Sequence, residues 1–406
     1  MADTPNTTTS LSARLKKRYN KNISELVPVP ADMQRRVEFR NDLKGGDSAE
    51  FDVQLSLELG FTQGEGTLNG AIAQTNAKAI VSATNLTLQS QVSYSLIKRA
   101  QTEEGAFARF ASDKFIPMVD SFRMREEYYM LYGRRGLGEL SANASGQVLT
   151  ISEASWNPTL WASIKGAVIE AWTAIDGSTQ HNGDLVVSDI NVENRTVTVV
   201  GTCSAVVSGD ILFFKGDHNT GRIGLMHIAR NTGTLYNISA ATYALWAANH
   251  HDLGTSAITL GKILVAAGKS AAKGCVGKKL VCYVPVQAFQ TLVADEAALT
   301  THGASKRKAE NGFEYLTFLG ASGEIEVVPH LYMRDGEAVL WPEDLTYVIG
   351  SSEATTQVGP GGDIIFDLET KNYKEMRMFS DSCGVYCEKP GFITYMTRSD
   401  GEALHA

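Results

Sequence analysis

The side chains of this 406-residue chain that could carry chemistry are five cysteines, a pair of adjacent histidines and two glycine-rich loops. Six residues separate Cys275 from Cys282 and three separate Cys383 from Cys387, with Cys203 alone upstream. Neither spacing is the two-residue interval of a zinc knuckle or a redox pair. Buried thiols kept reduced are therefore expected. His250 and His251 point in different directions on a helix or a strand, and a metal site needs three or four converging donors that no upstream carboxylate–histidine spacing supplies. Gly268-Lys269-Ser270 resembles the end of a phosphate-binding loop, but the glycine required five residues before Gly268 is Ile263. Gly359-Pro360-Gly361-Gly362 lacks the strand-to-helix unit and acidic residue of a dinucleotide site. No serine stands in Gly-x-Ser-x-Gly. The tyrosines Tyr128, Tyr129 and Tyr132 recur at helical spacing, which suits packing better than base stacking. No catalytic residue, cofactor or metal is expected.

The composition agrees with a folded, non-reading protein. Hydrophobic residues make up 43% and charged residues 20%, an ordinary globular balance. A formal net charge of −8 argues against a nucleic-acid reader, whose footprint would be a basic domain. The N-terminus has no apolar stretch after its basic residues, so no secretion signal is expected, and no run approaches the ~18 apolar residues of a membrane span. A soluble protein made in the cytoplasm is the expectation. Within the acidic chain one segment has a local excess of positive charge. Arg14, Lys16, Lys17, Arg18 and Lys21 fall between Leu11 and Asn22 with no acid among them. A short basic helix there reads either as a solvated tail or as an arm that meets an anionic partner.

The elements that follow are unlike the opening of a compact enzyme. Phe51, Val53, Leu55, Leu57 and Leu59 alternate with Asp52, Gln54, Ser56 and Glu58, the signature of a strand with one apolar face. A return strand is expected over Ala79–Tyr94, with Leu86, Leu88, Val92 and Tyr94 on one face. The intervening span holds Gly60, Gly64, Gly66 and Gly70 and is far longer than a hairpin loop. The pattern is a long two-stranded arm. Thr102, followed by Glu103 and Glu104, opens a helix whose stripe of Phe107, Ala111, Phe115, Met118, Phe122, Tyr129 and Tyr132 runs to Gly133. Pro117 should bend it. Beyond it are expected a helix at Leu160–Ile175, a small β insertion with strands at Asp184–Val192, Thr196–Val200 and Ile211–Phe214, and a mixed α/β region from Thr255 to Glu343. That region holds helices at Ala257–Lys273 and from Pro285 to Leu299, with strands at Lys279–Val284, Phe313–Leu319 and Glu324–Leu331. Closing strands are expected at Asp363–Tyr373, Arg377–Phe379, Gly384–Cys387 and Phe392–Met396.

This order resembles the major capsid protein of tailed bacteriophages, the Hong Kong 97-type fold, an α+β architecture. The likeness rests on Glu50–Leu59 with Ala79–Tyr94 as its extended E-loop, on Thr102–Gly133 as its spine helix, on Ala257–Leu331 as its axial domain, and on Met376–Cys387 and Lys389-Pro390-Gly391-Phe392 as its closing strands. It implies an N-terminal arm over 1–48, an E-loop over 49–98, a peripheral domain from 99–137 plus 363–406, and an axial domain over 138–362 with a β-rich insertion at about 180–220. It implies hexamers and pentamers of this chain closing an icosahedral shell around double-stranded DNA in a virion assembled in a bacterial cytoplasm. A scaffolding protein and a portal would be partners, DNA contact would be weak and non-specific, and no membrane would be involved. Phe51, Val53, Leu55, Leu57, Leu59, Leu86 and Leu88 would then form the E-loop's subunit interface. Arg14, Lys16, Lys17, Arg18 and Lys21 would meet scaffold or DNA. An encapsulin-type protein compartment, or a tail sheath or tube subunit, is the alternative. The N-terminal region as read is not expected to hold the long helical scaffolding segment of some family members, and no crosslinking lysine is assigned: Lys78 lies away from the glycine-rich tip.

Overall fold

Leu280–Val284, an unbroken apolar run of five residues, is buried along its whole length at the middle of a seven-stranded sheet. A strand with both faces covered has no reason to alternate. It pairs parallel with Gly323–Pro329 and antiparallel with Glu337–Pro342, which is also buried throughout. Thr394–Thr397 and Asn249–Asp252 extend the sheet beyond Glu337–Pro342, and Phe313–Gly320 and Lys306–Glu310 extend it on the other side. In this computed structural model the described residues are 31–42, 48–64, 66–67, 69–93, 104–177, 179–294, 306–310, 313–320, 322–356, 366–367 and 373–405. The helices Leu260–Ala272 and Val286–Ala294 pack on this sheet around Ile263, Ala267, Leu292, Ile325 and Leu340. Thr259 caps the first by accepting the Lys262 N–H at 3.4 Å. Pro285 precedes the second, where its missing N–H costs nothing.

The spine helix runs unbroken over Glu104–Leu131, 28 residues with Pro117 inside it. It packs on a second sheet in which Thr346–Thr356 and Tyr373–Ser382 are central partners. Met118 and Phe122 of the helix meet Met376 and Met378 of the sheet. Tyr128, Tyr129 and Tyr132 are buried at the helix's last turns. Tyr129 donates to the Asp217 carboxylate at 2.7 Å, and the Tyr132 hydroxyl accepts the Arg334 N–H at 2.9 Å. They are packing residues, as their spacing predicts.

Three expectations are corrected here. Leu160–Ile175 is not a helix: Pro158–Ser163 is a short one, and Val168–Trp172 is a strand. The β insertion is wider than 180–220. Gln180–Asn191, Thr196–Val200 and Ile211–Phe214 share one six-stranded sheet with Gly138–Glu139, Val148–Thr150 and Val168–Trp172. Nor does the chain divide its sheets at 362/363. Thr346–Thr356 lies in the spine helix's sheet, whereas Thr394–Thr397 crosses back into the seven-stranded one. The two units are stitched together by exchanged strands. The Gly359–Gly362 loop and residues 1–30, including the expected basic helix, lie outside the described residues.

Candidate assembly surface

The expected arm is present, with a different return strand. Ser48–Gln54 pairs antiparallel with Asn76–Ser82, from Ser48 opposite Ser82 to Gln54 opposite Asn76. Past this ladder the two chains stay together to a further bridge, where Leu59 and Ile72 exchange hydrogen bonds of 2.7 and 2.9 Å. Gly60, at φ +152°, follows at once, and a β-carbon there would sit 3.2 Å from the Gly70 carbonyl. The close crossing of the two chains requires a glycine at this position. Farther out, Asn69 holds the loop by donating to the Phe61 carbonyl at 2.7 Å.

The alternating face changes environment along its length. Ala49, Phe51, Val53 and Leu55 are turned onto the subunit's own body, where Phe51 stacks on Tyr386 with ring centroids 4.8 Å apart. Ile80 ties the same end down by donating its N–H to the Tyr236 carbonyl at 3.0 Å. Beyond Gln54 the Leu55 and Ser56 N–H groups both donate to the Thr75 carbonyl, a bulge that shifts the pairing by one residue before the Leu59–Ile72 bridge. Leu57 and Leu59 past it are 68% and 52% exposed. Phe61 at 83% and Ile72 at 58% extend the exposed patch. The arm thus begins on the core and ends in exposed apolar side chains, and a bulge at Leu55–Ser56 separates the two stretches. Lys78 and Glu50 pair at 2.7 Å on the opposite, solvated face, and that carboxylate raises the lysine's pKa above its ordinary value. A groove of about 790 Å³ separates the arm's base from the segment holding Tyr243 and Trp246.

Leu86 and Leu88, expected on the arm, are not on it. Thr84–Ser93 leaves the hairpin and pairs along its whole length with Tyr373–Ser382. Leu86 and Leu88 there pack against Met118, Phe122, Met376 and Met378. They hold the spine helix to its own sheet, within one chain. Phe61 and Ile72 were missed. Phe61 keeps the odd-numbered parity of the strand past Gly60, a signal the glycine obscured, and Ile72 is a lone apolar residue in a polar stretch. Arg14, Lys16, Lys17, Arg18 and Lys21 lie outside the described residues.

The groups that could do chemistry are occupied structurally. All five cysteines are buried, and burial pushes the Cys383 thiol up to about 12, far from a reactive thiolate. Lys269, within a helix, donates to the His250 carbonyl at 2.8 Å, and Ser270 bonds Thr394 at 2.8 Å. His250 stacks on Tyr395 and bonds the Thr397 hydroxyl. Among the described residues no three His, Cys, Asp or Glu side chains gather as a metal site, and no helix is long and apolar enough to cross a membrane.

No family model and no curated protein matches the chain. Solved structures do. The capsid asymmetric unit of cyanophage A-1(L) matches with a TM-score of 0.54 at 11% identity, over 98% of this chain and 97% of that one. The capsid of a native GTA particle matches with a TM-score of 0.50 at 7% identity, over 97% and 99%. The capsid of Myoviridae phage XM1 matches with a TM-score of 0.50 at 8% identity, over 95% and 98%. The fold is that of a phage capsid subunit. At these identities the likeness is one of architecture, and it extends over nearly the whole length of both chains. The expectation of an α+β capsid fold therefore stands.

Proposed function

We propose that this chain is the major capsid protein of a tailed bacteriophage, a non-catalytic subunit whose hexamers and pentamers close an icosahedral head around double-stranded DNA. The observation that carries it is the arm. A capsid fold matched over nearly the whole chain here carries an arm whose outer part holds Leu57, Leu59, Phe61 and Ile72 in water. Scattered exposed apolar residues need no explanation, but a contiguous patch on an extended element marks a surface that binds. A second copy of the chain is its natural cover, since shell closure repeats one contact between identical subunits. The virion is then its location, with scaffold, portal and DNA as further partners. Electron microscopy of the purified protein, alone and with its scaffold, tests the reading. Closed shells are expected. Rods would move it to a tail subunit, and nothing larger than a small oligomer in either preparation would overturn it.

A further inference from the structure

The first described helix, Asp32–Arg36, cannot cap itself. Its N-cap residue is Ala31, which offers no side-chain acceptor, and alanine is a poor residue at that position. The acceptor comes from the spine helix, more than ninety residues away in sequence. Glu127 is fully buried. One of its oxygens, Oε1, accepts the Met33 N–H at 2.7 Å, and Oε2 accepts the Gln34 N–H at 3.1 Å. His330, also buried, brings its Nε2 to 3.0 Å from Glu127 Oε1. Its Nδ1 accepts the Tyr332 N–H at 3.2 Å, so the proton resides on Nε2 and is donated to the carboxylate. A single buried carboxylate therefore receives three donors from two different elements. Around it, Tyr283 donates to Asp32 at 2.9 Å, Gln34 donates to the Arg123 carbonyl at 2.8 Å, and Arg36 bonds Glu326 at 2.6 Å. Arg123 and Glu127 belong to the spine helix. Tyr283 and Glu326 belong to the seven-stranded sheet, and His330 directly follows its strand Gly323–Pro329.

We propose that Glu127 and His330 form an internal latch. It clamps residues 32–36 at the junction of the spine helix and the seven-stranded sheet, and so fixes the position and orientation of this segment against both. Each of these donors has its acceptor, and releasing the segment would strip a buried carboxylate and a histidine of part of their hydrogen bonding together. Short apolar anchors alone would not fix a direction: Met33 and Val37 are buried, but apolar packing is not directional, whereas three hydrogen bonds to one carboxylate are. The consequence for assembly rests on the shell reading, because only there does the orientation of residues 32–36 matter between copies.

Glu127→Gln tests the latch in the full-length chain. A carboxamide oxygen can still accept from Met33 and His330, but its NH2 then faces the Gln34 N–H, donor against donor. Hydrogen exchange resolved to single amides should show Met33 and Gln34 exchanging at least about tenfold faster than in the parent. Amides of Leu280–Val284 should stay protected. Limited proteolysis should cut more readily within residues 1–40. If Glu127→Gln does not fold, Tyr283→Phe removes one hydroxyl from the same surround and should give a smaller rise at the same amides. Unchanged exchange and cleavage in whichever variant folds would overturn the latch. Particle counts are read separately: a parent that closes no shells sinks the shell reading and leaves the exchange comparison intact.

Discussion

Asp335 lies at the turn before the strand Glu337–Pro342, where its N–H donates to the Trp156 carbonyl at 3.0 Å and its own carbonyl accepts from Leu404. Burial, with Glu153 nearby adding like charge against the partial help of Arg195, pushes its carboxyl up to about 7. A carboxylate whose pKa is higher folded than unfolded holds an extra proton in the native state between about 4 and 7. Its contribution to stability is therefore complete below the unfolded value and is lost as pH rises through 7. Asp335→Asn should remove this dependence. The variant's unfolding free energy, measured by denaturant titration against the parent, should gain on the parent as pH rises from 4 to 8, by on the order of 1–3 kcal/mol. A difference that stays flat across that range would show that the carboxyl titrates normally.

At the scale of elements, the arm tests how one alternating strand can serve two environments. Truncating its base removes contacts within the subunit, and Phe51→Ala should lower subunit stability by about 1–3 kcal/mol, less than for a fully buried phenylalanine. Charges at the tip should leave the subunit nearly untouched. Leu57→Asp with Leu59→Asp replaces side chains that are already in water, so the melting transition should move little, while sedimentation should show small species where the parent gives large particles. Normal assembly of this pair would remove the tip from the list of contacts. The arm's ladder ends at Gln54, and a bulge at Leu55–Ser56, which nothing in the alternation announces, shifts the pairing before Leu59. The arm's first strand was legible from its apolar odd positions Phe51 and Val53. Its partner was not, since Asn76–Ser82 and Thr84–Ser93 run almost together in sequence, and only the sheet they join separates them. That is why Leu86 and Leu88 read as arm residues and fold as anchors for the spine helix. Val168–Trp172 failed for a related reason: a short apolar run after a true helix start continues either as helix or as buried strand, and pairing with Ile211–Phe214 and Gln180–Asn191 decided it. Glu127 gave no signal in the sequence, because nothing near it marks a carboxylate whose partners lie more than ninety and two hundred residues away.

The whole molecule is acidic, with one short segment near its N-terminal end that carries cations and no acid. Five cations stand between Leu11 and Asn22 in a chain whose formal net charge is −8. A shell interior that bound DNA strongly across its whole surface would impede release. An acidic body repels phosphate, while a small basic segment offers contacts that salt weakens steeply, since each phosphate neutralised contributes a slope of about −0.9 in log affinity against log salt. Under the capsid reading, this division of charge lets the shell surround its contents while gripping them lightly. Reversing Arg14, Lys16, Lys17 and Arg18 to glutamate changes two charges per position and doubles the chain's net negative charge. None of the described core belongs to that segment, so circular dichroism should be unchanged. Particle yield should fall if the segment meets scaffold during assembly. If instead it meets DNA, yield should hold, packaged DNA per particle should drop, and the parent's DNA retention should weaken between low and moderate salt while the variant's starts low and changes little. The two outcomes separate the partners. Equal yield, equal DNA and equal salt response in parent and variant would reduce the segment to a solvated tail and leave the acidic body as the only charge that matters to the shell.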